Sequence, residues 1–170
     1  MTPLLFYDTE TTGLPLFKEP SEHPDQPHIV QLAAILVDQE TRKTISSMDV
    51  IVSPAGWIVP DDVAAIHGIT TEHAMDVGVG EKTALSMLLE MWRGPGRMRI
   101  GHNEQFDARI IRIGLKRLFE TPGEVLPISD EWKSGLSGCT AIRSTPLCAL
   151  PPTEKMRAEE MPSRVIIRAS

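Results

Sequence analysis

Cysteine is scarce in this chain of 170 residues, which contains only Cys139 and Cys148. Two cysteines build neither a disulfide framework nor a four-cysteine zinc site, and we interpret them as ordinary reduced thiols. Long apolar runs are also missing, since the longest, Ile29–Val37, is interrupted by Gln31 and falls far short of the roughly 20 residues of a membrane helix. The N-terminal MTPLLFYD shows no basic region and no cleavage site of a signal peptide. We therefore expect a soluble, cytoplasmic protein with no membrane partner.

Positive charge is in deficit too, because 17 basic side chains face 23 acidic ones and the formal net charge is −6. That balance argues against a generic nucleic-acid coat protein. An acidic chain still binds a polyanion if its cations gather near one site, and a solvated helix face is the alternative interpretation of such a run. Seven cations lie close together along the chain: Arg93, Arg97, Arg99, Arg109, Arg112, Lys116 and Arg117.

Hydrophobic periodicity and turn residues predict an α/β domain with a mixed sheet. The predicted strands are Pro3–Thr9, His28–Asp38, Thr44–Val52 and Met98–Gly101, and Leu14–Pro27 is a loop. The predicted helices are Asp61–His67, Glu81–Arg93 and Glu104–Phe119. Asp61 or Asp62 is expected to cap the first helix and Gly68 to end it. Further on, Pro122–Gly138 is expected as loop, Cys139–Leu150 as extended structure and Thr153–Glu160 as the start of a helix.

Two carboxylates lie two residues apart at the end of the first predicted strand, in Asp8-Thr9-Glu10-Thr11-Thr12-Gly13. Alternate residues of a strand point to the same face, so Asp8 and Glu10 lie side by side and repel each other unless a cation is present. Oxygen ligands of this kind suit Mg²⁺ or Mn²⁺. A polar strand end followed by a turn is the alternative interpretation.

A second constellation, Gly101-His102-Asn103-Glu104-Gln105-Phe106-Asp107, opens the helix that follows the last predicted strand. Asn103 is expected to be its N-cap. Asp107 shares a helical stripe with Ile111 and Leu115, so its carboxylate faces the sheet and needs a partner. The pair at Asp8 and Glu10, with a metal ion, provides one. Arg109, Arg112 and Lys116 form the opposite, solvent-facing stripe.

Together, these motifs resemble the DnaQ-like 3′–5′ exonucleases of the DEDD superfamily. The likeness rests on FYDTETTGL (6–14) and GHNEQFDARII (101–111), with IVQLAAILVD (29–38) and AIHGIT (65–70) between them. It spans roughly residues 4–120, in the order and spacing of that family. It implies a ribonuclease H-like mixed sheet flanked by helices, and hydrolysis by a two-metal mechanism.

The resemblance also implies site residues. Asp8, Glu10 and Asp107 are expected to be the catalytic and metal-binding carboxylates for Mg²⁺ or Mn²⁺, with the second metal ion only weakly held. The substrate is expected to be a single-stranded DNA or RNA 3′ end. The expected substrate-binding residues are Thr11, Thr12, Gly13, His67, Asn103 and Phe106. For Phe106 the alternative is core packing, and for His67 it is a helix C-terminal position before Gly68.

The family's third motif, a His or Tyr followed four or five residues later by Asp, is missing from this sequence. The last histidine is His102, the single tyrosine is Tyr7, and Asp130 is the one aspartate after Asp107. Residues 139–156 still resemble the family, whereas 157–170 do not, so we expect an exonuclease domain over 1–156 and an atypical tail over 157–170. Truncation or a frameshift near 157–162 is the simplest account, and a natural short variant is the alternative.

The expected function is therefore a metal-dependent 3′–5′ exonuclease, a nuclease and hydrolase impaired by loss of the water-orienting group. The alternative is a catalytically silent module that binds nucleic-acid 3′ ends. A weaker idea is metal binding by His23 and His28. Many relatives act as dimers, which leaves a homodimer open, and the sequence identifies no polymerase partner.

Overall fold

The computed structural model describes residues 3–94, 97–121 and 127–148 of the chain. In this part the strands are β1 (Pro3–Thr11), β2 (Ile29–Asp38), β3 (Thr44–Ser53), β4 (Val79–Gly80), β5 (Met98–Gly101) and β6 (Ser137–Cys139). The helices are α1 (Asp61–His67), α2 (Thr71–Val77), α3 (Glu81–Trp92), α4 (Glu104–Phe119), α5 (Ile128–Ser134) and α6 (Thr140–Cys148). None of the described helices is long and apolar enough to cross a membrane.

The strands form one mixed sheet in the order β4-β3-β2-β1-β5-β6. β1, β2 and β3 form an antiparallel meander, with Phe6 opposite Ile35. β5 runs parallel to β1 and pairs Leu4 with Met98 and Phe6 with Ile100. The register of β1 against β2 shifts between Glu10 and Thr11, so the pairing is irregular at the end of β1, just after Asp8 and Glu10. The mixed α/β architecture expected from the sequence is confirmed.

Only one face of β1 enters the core. Leu5, Tyr7 and Thr9 are buried, whereas Phe6 and Asp8 between them are exposed. The apolar stripes of α3 and α4 cover the buried face, and their side chains form one core with Leu5 and Tyr7. We call the other side, which carries Phe6, Asp8 and Ile35, the outer face of the sheet. Asp8 therefore projects away from the core, as strand alternation requires.

The strongly periodic elements form as predicted. The ranges of α1 and α4 match the prediction, and Gly68 ends α1 in the left-handed conformation with φ 81°. The cap prediction is wrong, because Pro60 occupies the N-cap position and no side chain caps α1. The carbonyl of Pro60 accepts hydrogen bonds from the backbone N–H groups of Val63 and Ala64. Asp61 and Asp62 lie in the first turn, where negative charge stabilises a helix.

The C-terminal part of the described chain differs most from the sequence prediction. α5 and β6 lie in the predicted loop, and α6 replaces the predicted extended segment. Earlier in the chain, the short helix α2 was not predicted either. Tertiary contacts decide these short elements. Trp132 anchors α5 because its ring is fully buried, 4.9 Å from that of Trp92. Thr140 begins α6 and donates a hydrogen bond to the carbonyl of Gly101 on β5. The predicted helix start at 153–160 and the tail 157–170 lie outside the described residues.

A buried polar network joins the strand that carries the candidate site to the start of α4. Tyr7 Oη donates to Glu104 Oε1 at 2.9 Å, and Arg99 Nη2 lies 3.6 Å from the same oxygen. The Arg99 guanidinium lies 4.1 Å above the ring of Trp132. Burial lowers the pKa of Arg99, and the negative charge of Glu104 opposes this shift. Removing one member leaves a buried charge without its partner.

We expect Tyr7→Phe to lower the free energy of unfolding by about 1.5–3 kcal/mol, because the Glu104 carboxylate loses a buried charge-assisted hydrogen bond. Urea titration measures the change. Thr44→Val is the control, since it removes a hydroxyl from an exposed strand position and is expected to stay within about 0.5 kcal/mol of wild type. Equal stability of wild type and Tyr7→Phe would contradict a stabilising role for this network.

Candidate active site

The end of β1 presents two of the three predicted carboxylates. Asp8 is exposed and Glu10 is half-buried, whereas Thr9 and Thr11 are buried on the opposite face. The alternation predicted for the Asp-x-Glu motif is therefore present, and both carboxylates belong to the outer face. In the described part of the chain, neither forms a salt bridge with a basic side chain.

Asp107 meets β1 from the first turn of α4, as its helical stripe predicted. Its side chain is buried, with 2% of its surface exposed. Asp107 Oδ1 accepts two hydrogen bonds from Thr9, one from the backbone N at 3.0 Å and one from Oγ1 at 2.7 Å. Thr9 lies between Asp8 and Glu10 in the sequence. The fold thus brings together two motifs that are about 100 residues apart.

The electrostatics of these carboxylates point to unneutralised negative charge. The pKa of Asp107 is raised to about 6, chiefly by burial; the hydrogen bonds from Thr9 lower it and the negative charge of Asp8 raises it. Burial also raises the pKa of Asp8, while the charge of His102 lowers it. Because the negative charge of Asp8 raises the pKa of Asp107, a cation bound beside these carboxylates would be favourable.

The donor chemistry therefore fits a hard divalent cation, which takes carboxylate oxygens and retains several waters. The complete cluster is not formed, however. Within the described ranges, no three His, Cys, Asp or Glu side chains stand together in a way that could hold a metal ion. The expected approach of Asp107 to β1 is observed, whereas the expected three-carboxylate pocket is not. The catalytic and metal-binding roles of Asp8, Glu10 and Asp107 stay predictions.

The segment after β1 is held by hydrogen bonds to His28, the residue just before β2. Thr12 N donates to His28 O, and His28 N donates to Thr12 Oγ1, each at 3.0 Å. Thr11 Oγ1 donates to the carbonyl of Gly13 at 2.8 Å. A Cβ placed on Gly13 would meet no atom within 4 Å, so the space beside this backbone is open. Leu14, which follows, is 72% exposed.

The remaining predicted substrate residues have structural partners. Asn103 precedes α4 in the left-handed conformation (φ 63°, ψ 47°), and its side chain does not cap the helix. The capping prediction is therefore wrong, because a side-chain cap requires an extended N-cap backbone. Phe106 packs against the core, which supports its alternative interpretation. His67 ends α1, and its Nδ1 accepts from Ile69 N at 3.1 Å, which supports the C-terminal interpretation.

Six of the seven clustered cations have partners within the described part of the chain. Arg109 donates to the carbonyl of Glu19 at 2.6 Å, and Lys116 pairs with Glu22 at 2.7 Å. These bonds fasten the proline-containing loop 14–27 to α4, so the predicted solvent-facing stripe is a packing surface. The other internal partners are Met91 O for Arg97, Glu104 for Arg99, Asp130 for Arg112 and Glu81 for Arg117.

His23 and His28 are engaged separately, and the idea of a metal site between them is wrong for the described structure. His23 Nδ1 accepts from Asp25 N. The ring of His28 stacks on Trp57 at 4.8 Å, and its Nδ1 lies 3.0 Å from Glu81 and 2.7 Å from Arg117. His28 therefore belongs to an ion cluster that holds β2 against α3 and α4.

Sequence reasoning missed two residues of the site. Thr9 is the middle residue of the Asp-x-Glu motif, and its hydroxyl binds Asp107. His102 follows β5 at the same sheet edge, and its charge acts on Asp8. Strand alternation predicts that Thr9 faces inward, toward the helices. The parallel pairing that sets His102 beside Asp8 requires the strand order, which the sequence does not show.

Comparison with known proteins agrees with this geometry. The RNase_T model, which describes an exonuclease family, matches residues 5–142. No curated protein matches the chain at a significant level. E. coli exonuclease I in complex with a dT13 oligonucleotide superposes with a TM-score of 0.66 at 23% identity, over 85% of this chain and 30% of that one. The same enzyme with a 5cy-dA13 oligonucleotide gives a TM-score of 0.69 at 23% identity, over 91% and 31%.

The chain thus spans less than a third of the exonuclease I chains that it matches. At 23% identity, the structural likeness shows the fold alone. The ribonuclease H-like arrangement of mixed sheet and flanking helices, expected from the two motifs, is confirmed.

The raised pKa of Asp107 predicts a specific pH dependence of stability. The folded carboxyl binds its proton more tightly than the unfolded chain does, so its contribution to stability falls as pH rises from about 4 to about 6. Without divalent ions, the free energy of unfolding of Asp107→Asn should rise by about 2–4 kcal/mol relative to that of wild type as the pH increases from about 4 to about 6. Urea titrations at pH 4 and pH 7 in EDTA measure this gain, with the exposed Asp76→Asn as control. A difference that does not vary with pH would contradict the shift.

Proposed function

Because this chain belongs to the exonuclease family, we propose that it is a metal-dependent 3′–5′ exonuclease that hydrolyses single-stranded nucleic acid from its 3′ end. One observation carries the proposal. The buried Asp107 carboxylate is bonded to Thr9, between the Asp8 and Glu10 positions of the strand. Unneutralised carboxylates at one sheet edge suit phosphodiester hydrolysis, in which divalent cations offset the charge of the phosphate.

In this proposal, Asp8, Glu10 and Asp107 are the metal-binding carboxylates, with Mg²⁺ or Mn²⁺ as the ion. When bound, the ion supplies charge neutralisation and acidifies a coordinated water. The chain itself fixes the carboxylates. Thr9 orients Asp107 through two hydrogen bonds, and the core side of β1 holds Thr9 in place. This support matters because catalytic groups must be held within a fraction of an ångström of their working positions.

The 3′-terminal nucleotide is proposed to lie along Thr11, Thr12 and Gly13. The backbone there is fixed by its bonds to His28, and the space beside Gly13 is open. Asn103, Phe106 and His67 are proposed to border the strand, in addition to their structural contacts. Exonuclease I of E. coli is known in complex with single-stranded oligonucleotides, which favours single-stranded DNA as the first substrate to test.

A second function is a silent module that binds 3′ ends without cleaving them. The observation that favours it is the lack, among the described residues, of a three-ligand metal group. Such a module would bind an oligonucleotide with a free 3′ hydroxyl, with weak metal binding and no turnover. The assay below separates the two functions.

Divalent cations are expected to raise the melting temperature, because an ion that binds only the folded state stabilises it. The shift should appear with millimolar Mn²⁺ relative to EDTA at pH 7.5, which is above the raised pKa of Asp107 of about 6. Asp8→Asn should abolish most of the shift, whereas Asp76→Asn, on the exposed side of α2, should retain it. Equal shifts in both variants would place the ion elsewhere.

Exonuclease activity is expected to appear as stepwise shortening of a 5′-labelled single-stranded oligothymidylate in the presence of Mn²⁺. The rate should be low, because the sequence lacks the third motif, and Asp8→Asn should abolish it. An oligonucleotide with a blocked 3′ end is the polarity control and should stay intact. If the wild-type chain binds the free 3′ end but leaves the substrate uncut, the silent-module function replaces the enzymatic one.

A further inference from the structure

The sheet register places His102 next to Asp8. β1 and β5 pair in parallel through Phe6 and Ile100. Asp8 follows two residues later on β1, where strand alternation keeps it on the outer face, and His102 is the first residue after β5 ends at Gly101, in the turn that leads into α4. Both side chains are exposed, and neighbouring strands lie roughly 4.8 Å apart. The imidazole and the carboxylate therefore share one open edge of the sheet.

A hydrogen-bond chain fixes the orientation of the His102 ring. Thr140 Oγ1 donates its single proton to the carbonyl of Gly101 at 3.2 Å, because a carbonyl oxygen only accepts. His102 Nδ1 lies 3.1 Å from the same hydroxyl oxygen, so Nδ1 must be the donor in this pair. The neutral ring then carries its proton on Nδ1 and leaves the lone pair of Nε2 free. In a neutral histidine, the hydrogen bond of one ring nitrogen decides which nitrogen carries the proton.

The hydrogen bonds from His102 to Thr140 and from Thr140 to Gly101 resemble those that orient a general base in an enzyme. A base oriented by a second group, with its free nitrogen directed into an open site, recurs in enzymes that deprotonate water or hydroxyl groups. The charge of His102 lowers the pKa of Asp8, which agrees with the proximity given by the strand pairing. Nε2 has no hydrogen-bond partner within the described part of the chain.

The other histidines are unsuited to this task. His28 is held between Glu81 and Arg117, and Nδ1 of His67 accepts from a backbone N–H while its Nε2 is buried. His23 lies in the loop fastened to α4, and His73 is exposed on α2. His102 is thus the histidine that the fold leaves open beside the motif carboxylates.

We propose that His102 is the general base of this site, a role that rests on the exonuclease function proposed above. Nε2 accepts a proton from the attacking water as its oxygen forms a bond to the phosphorus of the terminal phosphodiester. The bond from phosphorus to the 3′ oxygen of the preceding nucleotide breaks. That oxygen takes up a proton from solvent, and a nucleoside 5′-monophosphate leaves. His102 thereby fills the role for which the sequence offers no third-motif residue.

The test compares four full-length variants with wild type on a 5′-labelled oligothymidylate in Mn²⁺. His102→Ala should lower kcat by about 100-fold or more with little change in KM, and added imidazole should restore part of the lost rate. Thr140→Val should lower kcat less, because the ring stays but loses its orienting acceptor. His73→Ala should match wild type. Asp8→Asn should be inactive and should not respond to imidazole.

A second measurement reports the ring directly. ¹⁵N NMR of the neutral form of the His102 imidazole should show its proton on Nδ1 in wild type, and Thr140→Val should convert it to a mixture of tautomers. Melting temperatures of the His102 and Thr140 variants should stay near that of wild type, since both side chains lie at the surface or partly exposed.

The outcomes separate this inference from the function that it rests on. An inactive wild-type chain overturns both. An active wild-type chain whose activity is lost in Asp8→Asn but kept in His102→Ala supports the exonuclease and overturns the role of His102. A His102→Ala variant with raised KM, unchanged kcat and no response to imidazole assigns the ring to substrate binding and also overturns the base role.

Discussion

The bond between Asp107 and Thr9 is the contact on which the candidate site depends. One carboxylate oxygen accepts both the backbone N–H and the hydroxyl of Thr9, which fixes the first turn of α4 against the end of β1. Burial of this carboxylate is unfavourable for its charged form, as its raised pKa shows. A fold that keeps an ionised group in such a position usually compensates through a partner, and a cation bound beside Asp8 would provide one. The Tyr7–Glu104 bond, one turn earlier on α4, reinforces the same junction.

The basic residues have a different role from the one that their clustering indicated. Arg109 and Lys116 bind the loop 14–27, and Arg117 donates to the carbonyls of Gln26 and Pro27. Arg99 is buried between aromatic rings. Arg109, Lys116 and Arg117 thus hold the loop that follows the Asp-x-Glu motif against α4.

The sequence predicted those parts of the fold in which periodicity and chemistry agree. β1, α1 and α4 have long or well-bounded patterns, and the inward position of Asp107 followed from its stripe with Ile111 and Leu115. The short elements failed because their stability comes from contacts with distant residues: Trp132 fixes α5 by filling the space between Tyr7 and Trp92. The cap predictions failed because Asn103 adopts a left-handed backbone and Pro60 precedes α1, details that depend on how the chain enters each helix.

By itself, the sequence determined local properties of the candidate residues: the alternation of Asp8 and Glu10, the helical phase of Asp107, and the lack of a histidine or tyrosine after His102. Those properties are local, since the backbone geometry of a strand or helix fixes which side chains share a face. The tertiary structure alone decided what each group meets. It paired β5 with β1, which brings His102 to the end of the sheet where Asp8 lies, joined Thr140 to the end of β5, and turned Arg109, Lys116 and Arg117 toward the loop 14–27. These contacts link residues far apart in the chain, and local propensity contains no information about such distances.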